Sequence, residues 1–310
     1  MRAGDPEECA SPPSSVSPSF PGAMNLGLVD LATLLREASE LEPLPQSTTR
    51  LAGLVAQDDA DLEEIAETIR LDEALTGRLL GAANSAASGS KVEITSVEAA
   101  LMRMGQSQVL SLAVGSSIGR DLAKALPAYG LEEGDLWRHS VASALTVDRA
   151  RRYCRRPAPP ESFAAALLHD VGKLILCRHL SAAANAAIRA AREERHVSLD
   201  DAEREVLGIG HGALGAEVAR NWKLPESLAL GIEHHHSPLA APNANARILC
   251  SYIMLSDAVA GALEAPCDAD QRTTFSPPIA GILGLSIDGF ENIVSDVRRD
   301  LDEVMAIYQV

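Results

Sequence analysis

Aromatic side chains are nearly missing from this chain: two Trp, four Tyr and four Phe make up 3% of 310 residues. Runs of β-branched residues are few, so there is little strand-forming material. No two of the five cysteines, Cys9, Cys154, Cys177, Cys250 and Cys267, have CxxC spacing, and their number is odd. That excludes a paired-cysteine structural zinc and points to free thiols in a reducing compartment. No stretch approaches the ~18 apolar residues of a membrane span. The N-terminus lacks the basic-then-apolar pattern of a signal peptide, so the chain reads as cytoplasmic. Positive charge is also short. Lys and Arg number 27 against 43 Asp and Glu, for a net charge of −16. Such a balance disfavours docking on nucleic-acid phosphates or an acidic membrane. The basic clusters, Arg149-Ala150-Arg151-Arg152 with Arg155-Arg156 and Arg298-Arg299, read more simply as solvated helix faces.

What is present is alanine and aliphatic mass. Hydrophobic residues are 46% of the chain, enough for a sizeable core. Alanine dominates that share and is the best helix former, which predicts an all-α fold.

The chain divides into four stretches. Residues 1–23 are rich in Pro and Ser and predict a disordered tail, with Met24 as an alternative start. Residues 24–130 read as short amphipathic helices: Leu62, Ile65 and Ile69 recur at helical spacing, then Leu75, Leu79 and Leu80. Asn84-Ser85 and Ser88-Gly89-Ser90 break the pattern. Thr95 or Ser96 could cap the next helix, with Glu98 at capping-box distance from Thr95. A turn-rich joint, Leu126-Pro127 to Gly134, opens a second helical part over 131–264. Residues 265–310 form a Pro-containing loop and a last helix, with Ile293, Val297 and Leu301 four apart.

The second part carries the chemistry. Leu168-His169-Asp170-Val171-Gly172-Lys173 ends an apolar helix. His211 shares a stripe with Leu214, Gly215, Val218 and Trp222. In a helix starting at Pro225 as N1, Leu228, Ile232, His235 and His236 share a side. Asp257 lies with Leu249, Ile253 and Ala260, a costly place for a carboxylate unless it is paired or metal-bound. His139 aligns with the small residues Ala142, Ser143 and Thr146, which could leave room for a cavity. The opposite face, Trp137, Val141, Ala144 and Leu145, packs elsewhere. Imidazole and carboxylate donors together suit Fe, Mn, Zn or Mg, and more than four of them could hold two metals. Lys173 could neutralise a phosphate oxygen, or be a solvated charge at a helix end. Taken singly, a histidine on an apolar stripe is more often a core residue bonded to a carbonyl. Asp257 could cap a helix or pair with a buried Arg. His234 reads as the exposed member of its run, and His179 and His196 as surface residues.

The order His139, His169-Asp170, His211, His235-His236, Asp257 resembles the HD superfamily of metal phosphohydrolases. From about Leu41 to Asp257 the chain resembles an HDOD domain, the HD-related output domain of bacterial signalling. Leu44-Pro45-Gln46 is similar to that family's opening motif. Asp72 to Ala86, with Ala83-Asn84-Ser85, is similar to its Asn-Ser segment, and Ile94 to Gly105 to the next. Leu136-Trp137-Arg138-His139-Ser140, Gly208 to His211, Trp222-Lys223-Leu224-Pro225-Glu226 and His235-His236-Ser237-Pro238 complete the likeness. The resemblance implies an all-helical fold and a regulatory role through a signalling partner or a small ligand such as a nucleotide. It departs from the HD-GYP branch, which hydrolyses cyclic di-GMP: Ser237-Pro238-Leu239-Ala240 stands where a Gly-Tyr-Pro segment would follow. No sensor, receiver, GGDEF or EAL-type segment accompanies the domain, which reads as a stand-alone version. Two expectations result. The chain is a non-catalytic regulator, or it is a metal-dependent phosphohydrolase or phosphodiesterase acting on a nucleotide. In the second case His139, His169, Asp170, His211, His235, His236 and Asp257 are the ligands, a metal-activated water is the nucleophile, and Asp170 and Lys173 serve the chemistry.

Overall fold

A computed structural model describes residues 30–57, 61–84, 93–265, 267–268 and 276–308. The expected tail over 1–23, Met24, Cys9, Ser85 and Ser88-Gly89-Ser90 lie outside the described residues.

Among the described residues the fold is all-helical; the nearest approach to a strand is an isolated bridge between Leu126 and Leu131. The first half comprises α1 (Leu31–Glu40), α2 (Gln46–Val55), α3 (Leu62–Arg70), α4 (Glu73–Ala83), α5 (Val97–Met104) and α6 (Gln106–Leu122). The second comprises α7 (Asp135–Ala150), α8 (Ser162–Leu168), α9 (Lys173–His179), α10 (Ala182–Arg195), α11 (Leu199–Leu207), α12 (His211–Asn221), α13 (Glu226–Glu233) and α14 (Ala244–Ala262). Helices α15 (Pro277–Leu283) and α16 (Ile287–Tyr308) close the chain. No described helix is long and apolar enough to cross a membrane.

Side-chain oxygens start many of these helices, as the turn chemistry predicts. Asp30, Asp61, Asp72, Ser181, Ser198 and Asn243 each accept from a backbone N–H of the first turn. Of the two candidates before α5, Ser96 is the cap and accepts from Ala99 N. Pro225 precedes α13 as its N-cap rather than its N1 residue, and its carbonyl accepts from Leu228 N and Ala229 N. Asn84 shows why an Asn ends α4: its amide donates to Ile94 O at 2.7 Å and accepts from Ile94 N at 2.7 Å. One residue thus ties α4 to the approach of α5.

One contiguous apolar core runs from Leu34 in α1 to Leu301 in α16, crossing the joint at 126–134. The joint is pinned by Leu126 N to Leu131 O at 2.9 Å and Gly134 N to Ala123 O at 2.7 Å. Helix α1 packs on α9 and α12. His179 on α9 is therefore half-buried and lies 2.9 Å from the Glu37 carboxylate of α1, where the sequence reads a surface residue. His196 is exposed, as expected, and ends α10 in a left-handed conformation.

Trp137 orients α7. It is buried, and its ring lies across Gly115 and Gly119 of α6, where a Cβ would sit 3.4 Å from it. Larger residues there would push α7 off α6. With Trp137 held on that side, His139 is carried to the other face. The small residues beside His139 leave no room: Ala142, Ser143 and Thr146 are all fully buried in close packing. The expected cavity at this face is filled by neighbouring helices. The basic cluster at the end of α7 is solvated as expected at Arg151, Arg152, Arg155 and Arg156, which are exposed; Arg149 alone turns inward and pairs with Asp300 of α16, beside Tyr153, which donates to Asp296 at 2.9 Å.

Candidate metal centre

Seven residues from five places in the chain meet in the interior. His139 comes from α7, His169 and Asp170 from the turn after α8, His211 from the first position of α12, His235 and His236 from the turn after α13, and Asp257 from α14. All but His236 are essentially unexposed, and the His236 side chain is 18% exposed. His234 is half-buried and outside the group.

Asp170 sits between two sets of donors. Its Oδ2 lies 3.4 Å from His169 Nε2 and 3.7 Å from His139 Nε2. Its Oδ1 lies 3.3 Å from His211 Nε2 and 4.0 Å from His235 Nε2. On the first side Asp257 Oδ1 is 3.2 Å from both His139 Nε2 and His169 Nε2. On the second, His211 Nε2 and His236 Nε2 are 3.0 Å apart. His139, His169 and Asp257 form one compact ligand group; His211, His235 and His236 form another.

The tautomers follow from the outer ring nitrogens. His139 Nδ1 is 2.8 Å from Ala265 O, His169 Nδ1 is 2.7 Å from Ala166 O, and His235 Nδ1 is 2.6 Å from Ile232 O. A carbonyl only accepts, so each Nδ1 carries a proton, and each Nε2 faces inward, where it offers a lone pair whenever its ring is neutral. His139 Nε2 and His169 Nε2 face each other at 3.1 Å, a distance that needs a proton or a metal cation between the two nitrogens. Asp170 Oδ1 and His235 Nε2 are buried without a hydrogen-bond partner. Such an arrangement calls for a cation at its centre, and the buried His and Asp groups could hold metal.

The charges agree. Burial raises the carboxyls of Asp170 and Asp257, but His169 beside both, Lys173 beside Asp170 and His139 beside Asp257 hold them well below the usual carboxylate range. Burial and the charges of neighbouring imidazoles push His235 far down, and burial with His211 pushes His236 down to about 3. Both rings thus stay neutral and keep their lone pairs.

Lys173 is fully buried, contrary to the reading of a solvated helix-end charge. Its Nζ donates to Asp170 Oδ2 at 2.8 Å and to Cys267 O at 3.1 Å. Burial lowers its pKa, but Asp170 outweighs burial and keeps it charged. Its three-residue spacing from Asp170 puts both on one helical side. The Cys267 thiol also lies within the His139 and Asp170 group, with burial raising its pKa well above the ordinary value. Cys154, Cys177, Cys250 and Cys267 form no disulfide among the described residues.

Two acidic residues of α11, Asp200 and Glu203, stand behind His211. Glu203 is fully buried; its Oε2 accepts from His211 Nδ1 at 2.7 Å and from His211 N at 2.8 Å. Its Oε1 accepts from Tyr129 OH at 2.9 Å. Asp200 accepts from Gly212 N at 2.8 Å. Together they satisfy the first N–H groups of α12 and fix the His211 ring. Glu203 shares a stripe with Leu199, Ala202, Val206 and Leu207, the same signal that marks His211. A carboxylate that orients a ligand histidine typically contributes 10- to 100-fold in metal affinity. Glu203→Gln is therefore expected to weaken metal binding by about that factor, with chelator competition as the measurement. Unchanged affinity would reduce Glu203 to a helix cap.

Chelation exposes a second dependence. With metal stripped away, a proton on His169 takes the cation's place. Burial opposes it, but Asp170 and Asp257 raise the pKa from 6.5 to about 10. The folded state then holds that proton more tightly than the unfolded chain. Its stabilisation is complete below 6.5 and is lost as pH climbs through about 10. The depressed carboxyls of Asp170 and Asp257 act at the acid end, stabilising above 3.8 and losing effect as pH falls further. Stripped protein is expected to melt at a lower temperature near pH 9.5 than near pH 7, and metal-loaded protein to lose less. Equal shifts in both forms would refute the substitution of proton for metal.

The profile of the HDOD domain matches residues 41–238. The chain belongs to the HDOD family. Six of the seven centre residues of this HDOD protein fall inside the matched segment, and Asp257 lies beyond it. Solved structures share the fold. An HDOD domain protein of unknown function from Geobacter sulfurreducens superposes with a TM-score of 0.65 at 22% identity, covering 88% of this chain and 99% of its own. A Marinobacter aquaeolei VT8 chain, named as a candidate signal transduction protein, gives 0.68 at 21% identity, covering 92% of this chain and 65% of its own. A Shewanella amazonensis SB2B chain, named as a candidate phosphohydrolase, gives 0.59 at 24% identity over 86% of this chain and 94% of its own. An uncharacterized Treponema pallidum protein is 24% identical over 214 residues; the alignment takes in 68% of this chain and 40% of that protein's length.

Proposed function

We propose that this HDOD protein is a bacterial, cytoplasmic signalling regulator whose HD centre holds one or two divalent metals, Fe, Mn, Zn or Mg, as a fixed part of the fold. His139, His169, Asp170 and Asp257 would hold one, and Asp170, His211, His235 and His236 the other. Output passes through the helical surface to a protein partner. The observation that carries the metal is the facing Nε2 pair of His139 and His169 at 3.1 Å, with both outer nitrogens already bonded to carbonyls.

Burial supports regulation over turnover. Six ligands are sealed, and a cavity of about 440 Å³ lies away from them, beside Glu161 and Asn243. The packed helices α3 and α5 leave Leu71 and Met102 about three-quarters exposed, which suits a partner surface.

One observation favours the nucleotide phosphohydrolase reading. His236 is the single ligand open to solvent, and the donors outnumber those of a closed structural site. Two metals held close together can clamp a phosphoryl group and activate water. In that reading Asp170 holds the metals and Lys173, already spent on Asp170 and Cys267 O, acts by fixing that carboxylate. A turnover assay decides between them. Protein loaded with Mn or Fe is expected to leave nucleoside triphosphates and cyclic dinucleotides intact. Multiple turnover that disappears in Asp170→Ala would establish the phosphohydrolase instead.

A further inference from the structure

Helices α8, α13 and α14 run side by side, and the residues that end or follow their inner stretches feed the metal centre: His169, His235 and Asp257. Their opposite ends border a separate, open cavity of about 440 Å³. It is bounded by Glu161 before α8, Ser227 and Leu230 of α13, and Asn243, Asn245 and Leu249 around the start of α14. Ser227 is about 12 Å from His235 along the chain axis at the helical rise, so the two sites are distinct.

Glu161 is the informative residue. It is 7% exposed and lines the cavity, yet its carboxylate makes no hydrogen bond or ion pair among the described residues. Its position next to α8 does not explain it, because it gives no side-chain cap to that helix. A carboxylate that faces a cavity from a largely buried residue, with no partner of its own, suits a cation or a set of N–H donors. The remaining walls narrow the choice. Leu230 and Leu249 are apolar, and the Asn243 carbonyl oxygen is taken by Ala246 N at 2.8 Å, leaving its amide N–H groups. Beneath Leu230 the small cluster of Ala241, Ala246 and Cys250 gives an apolar floor. The volume lies in the small-molecule range.

We propose that this cavity is a binding site for a small molecule bearing a planar amidinium or guanidinium group, with Glu161 as the acceptor. A planar pair of N–H donors meets both carboxylate oxygens at once. The flat body behind it lies against Leu230 and Leu249, and Ser227 and Asn243 contact its rim. This site stands whether or not the metal centre turns over.

Benzamidine is a suitable probe, since it joins an amidinium to an apolar ring. Titration calorimetry on the full chain is expected to show saturable one-site binding. Benzoate, with the opposite charge, is expected not to bind. Glu161→Gln keeps the shape and removes the charge, and is expected to weaken benzamidine at least tenfold. Ser227→Trp fills the cavity from a half-buried position and is expected to abolish binding; it decides the matter if Glu161→Gln fails to fold. The proposal is overturned if benzamidine does not bind, if benzoate binds as well, or if binding survives unchanged in the folded variant.

Discussion

Asp170→Ala is expected to strip the protein of metal and to destabilise it by about 3–5 kcal/mol, the usual cost of leaving one partner of a buried ion pair alone. Two losses combine. Asp170 stands between both ligand groups, with Oδ2 toward His139 and His169 and Oδ1 toward His211 and His235. It is also the counter-charge of Lys173, which is fully buried and otherwise meets the Cys267 carbonyl and the face of the Tyr129 ring. Elemental analysis reads the first loss and a denaturant melt the second. Asp170→Asn separates charge from volume: it preserves the volume but no longer neutralises Lys173 or a metal. The stranded Lys173 keeps the Asn variant costly in the melt either way, so metal content is the deciding readout: unchanged content in Asp170→Asn would mean that Asp170 holds no metal.

Gly172→Ala is the second large effect. A Cβ at Gly172 would stand 2.1 Å from His211 O and 2.8 Å from Gly215 N. Both are backbone atoms of α12, so no side-chain rotation relieves the overlap. The helix has to move, and His211 moves with it. A cost of about 3 kcal/mol or more is expected, at the upper end of overpacking, with a fall in Tm of roughly 10 °C. Metal content is expected to fall as well, because His211 leaves Asp170. Gly53→Ala in α2 is the control. Nothing lies within 4 Å of its Cβ position, so it is expected to stabilise by about 0.5–1 kcal/mol. A neutral Gly172→Ala would mean that α9 and α12 are not in the contact described.

The helices and the ligands were legible in the chain because both leave a local trace. His211 and Asp257 each break an apolar stripe at helical spacing, and both prove to be buried. The pair Asp170 and Lys173 sits three residues apart, so its contact is local too. Glu203 breaks a stripe in the same way, and it was readable by the same criterion. Depth of burial was not. Whether Lys173 meets solvent depends on the Cys267 segment, ninety-four positions away in sequence. Ala142, Ser143 and Thr146 suggest space beside His139, but periodicity does not record what a neighbouring helix brings to fill it. The cavity at Glu161 is the extreme case. Nothing local in Pro159-Pro160-Glu161 marks a cavity wall; α13 and α14 bring the other walls.

The claim on which the rest depends is that the facing imidazoles and carboxylates hold a cation. Elemental analysis of protein purified without chelator tests it most directly. At least one equivalent of transition metal is expected, falling sharply in Asp170→Ala. Less than about a tenth of an equivalent, with no uptake on adding Mn or Fe, would contradict it.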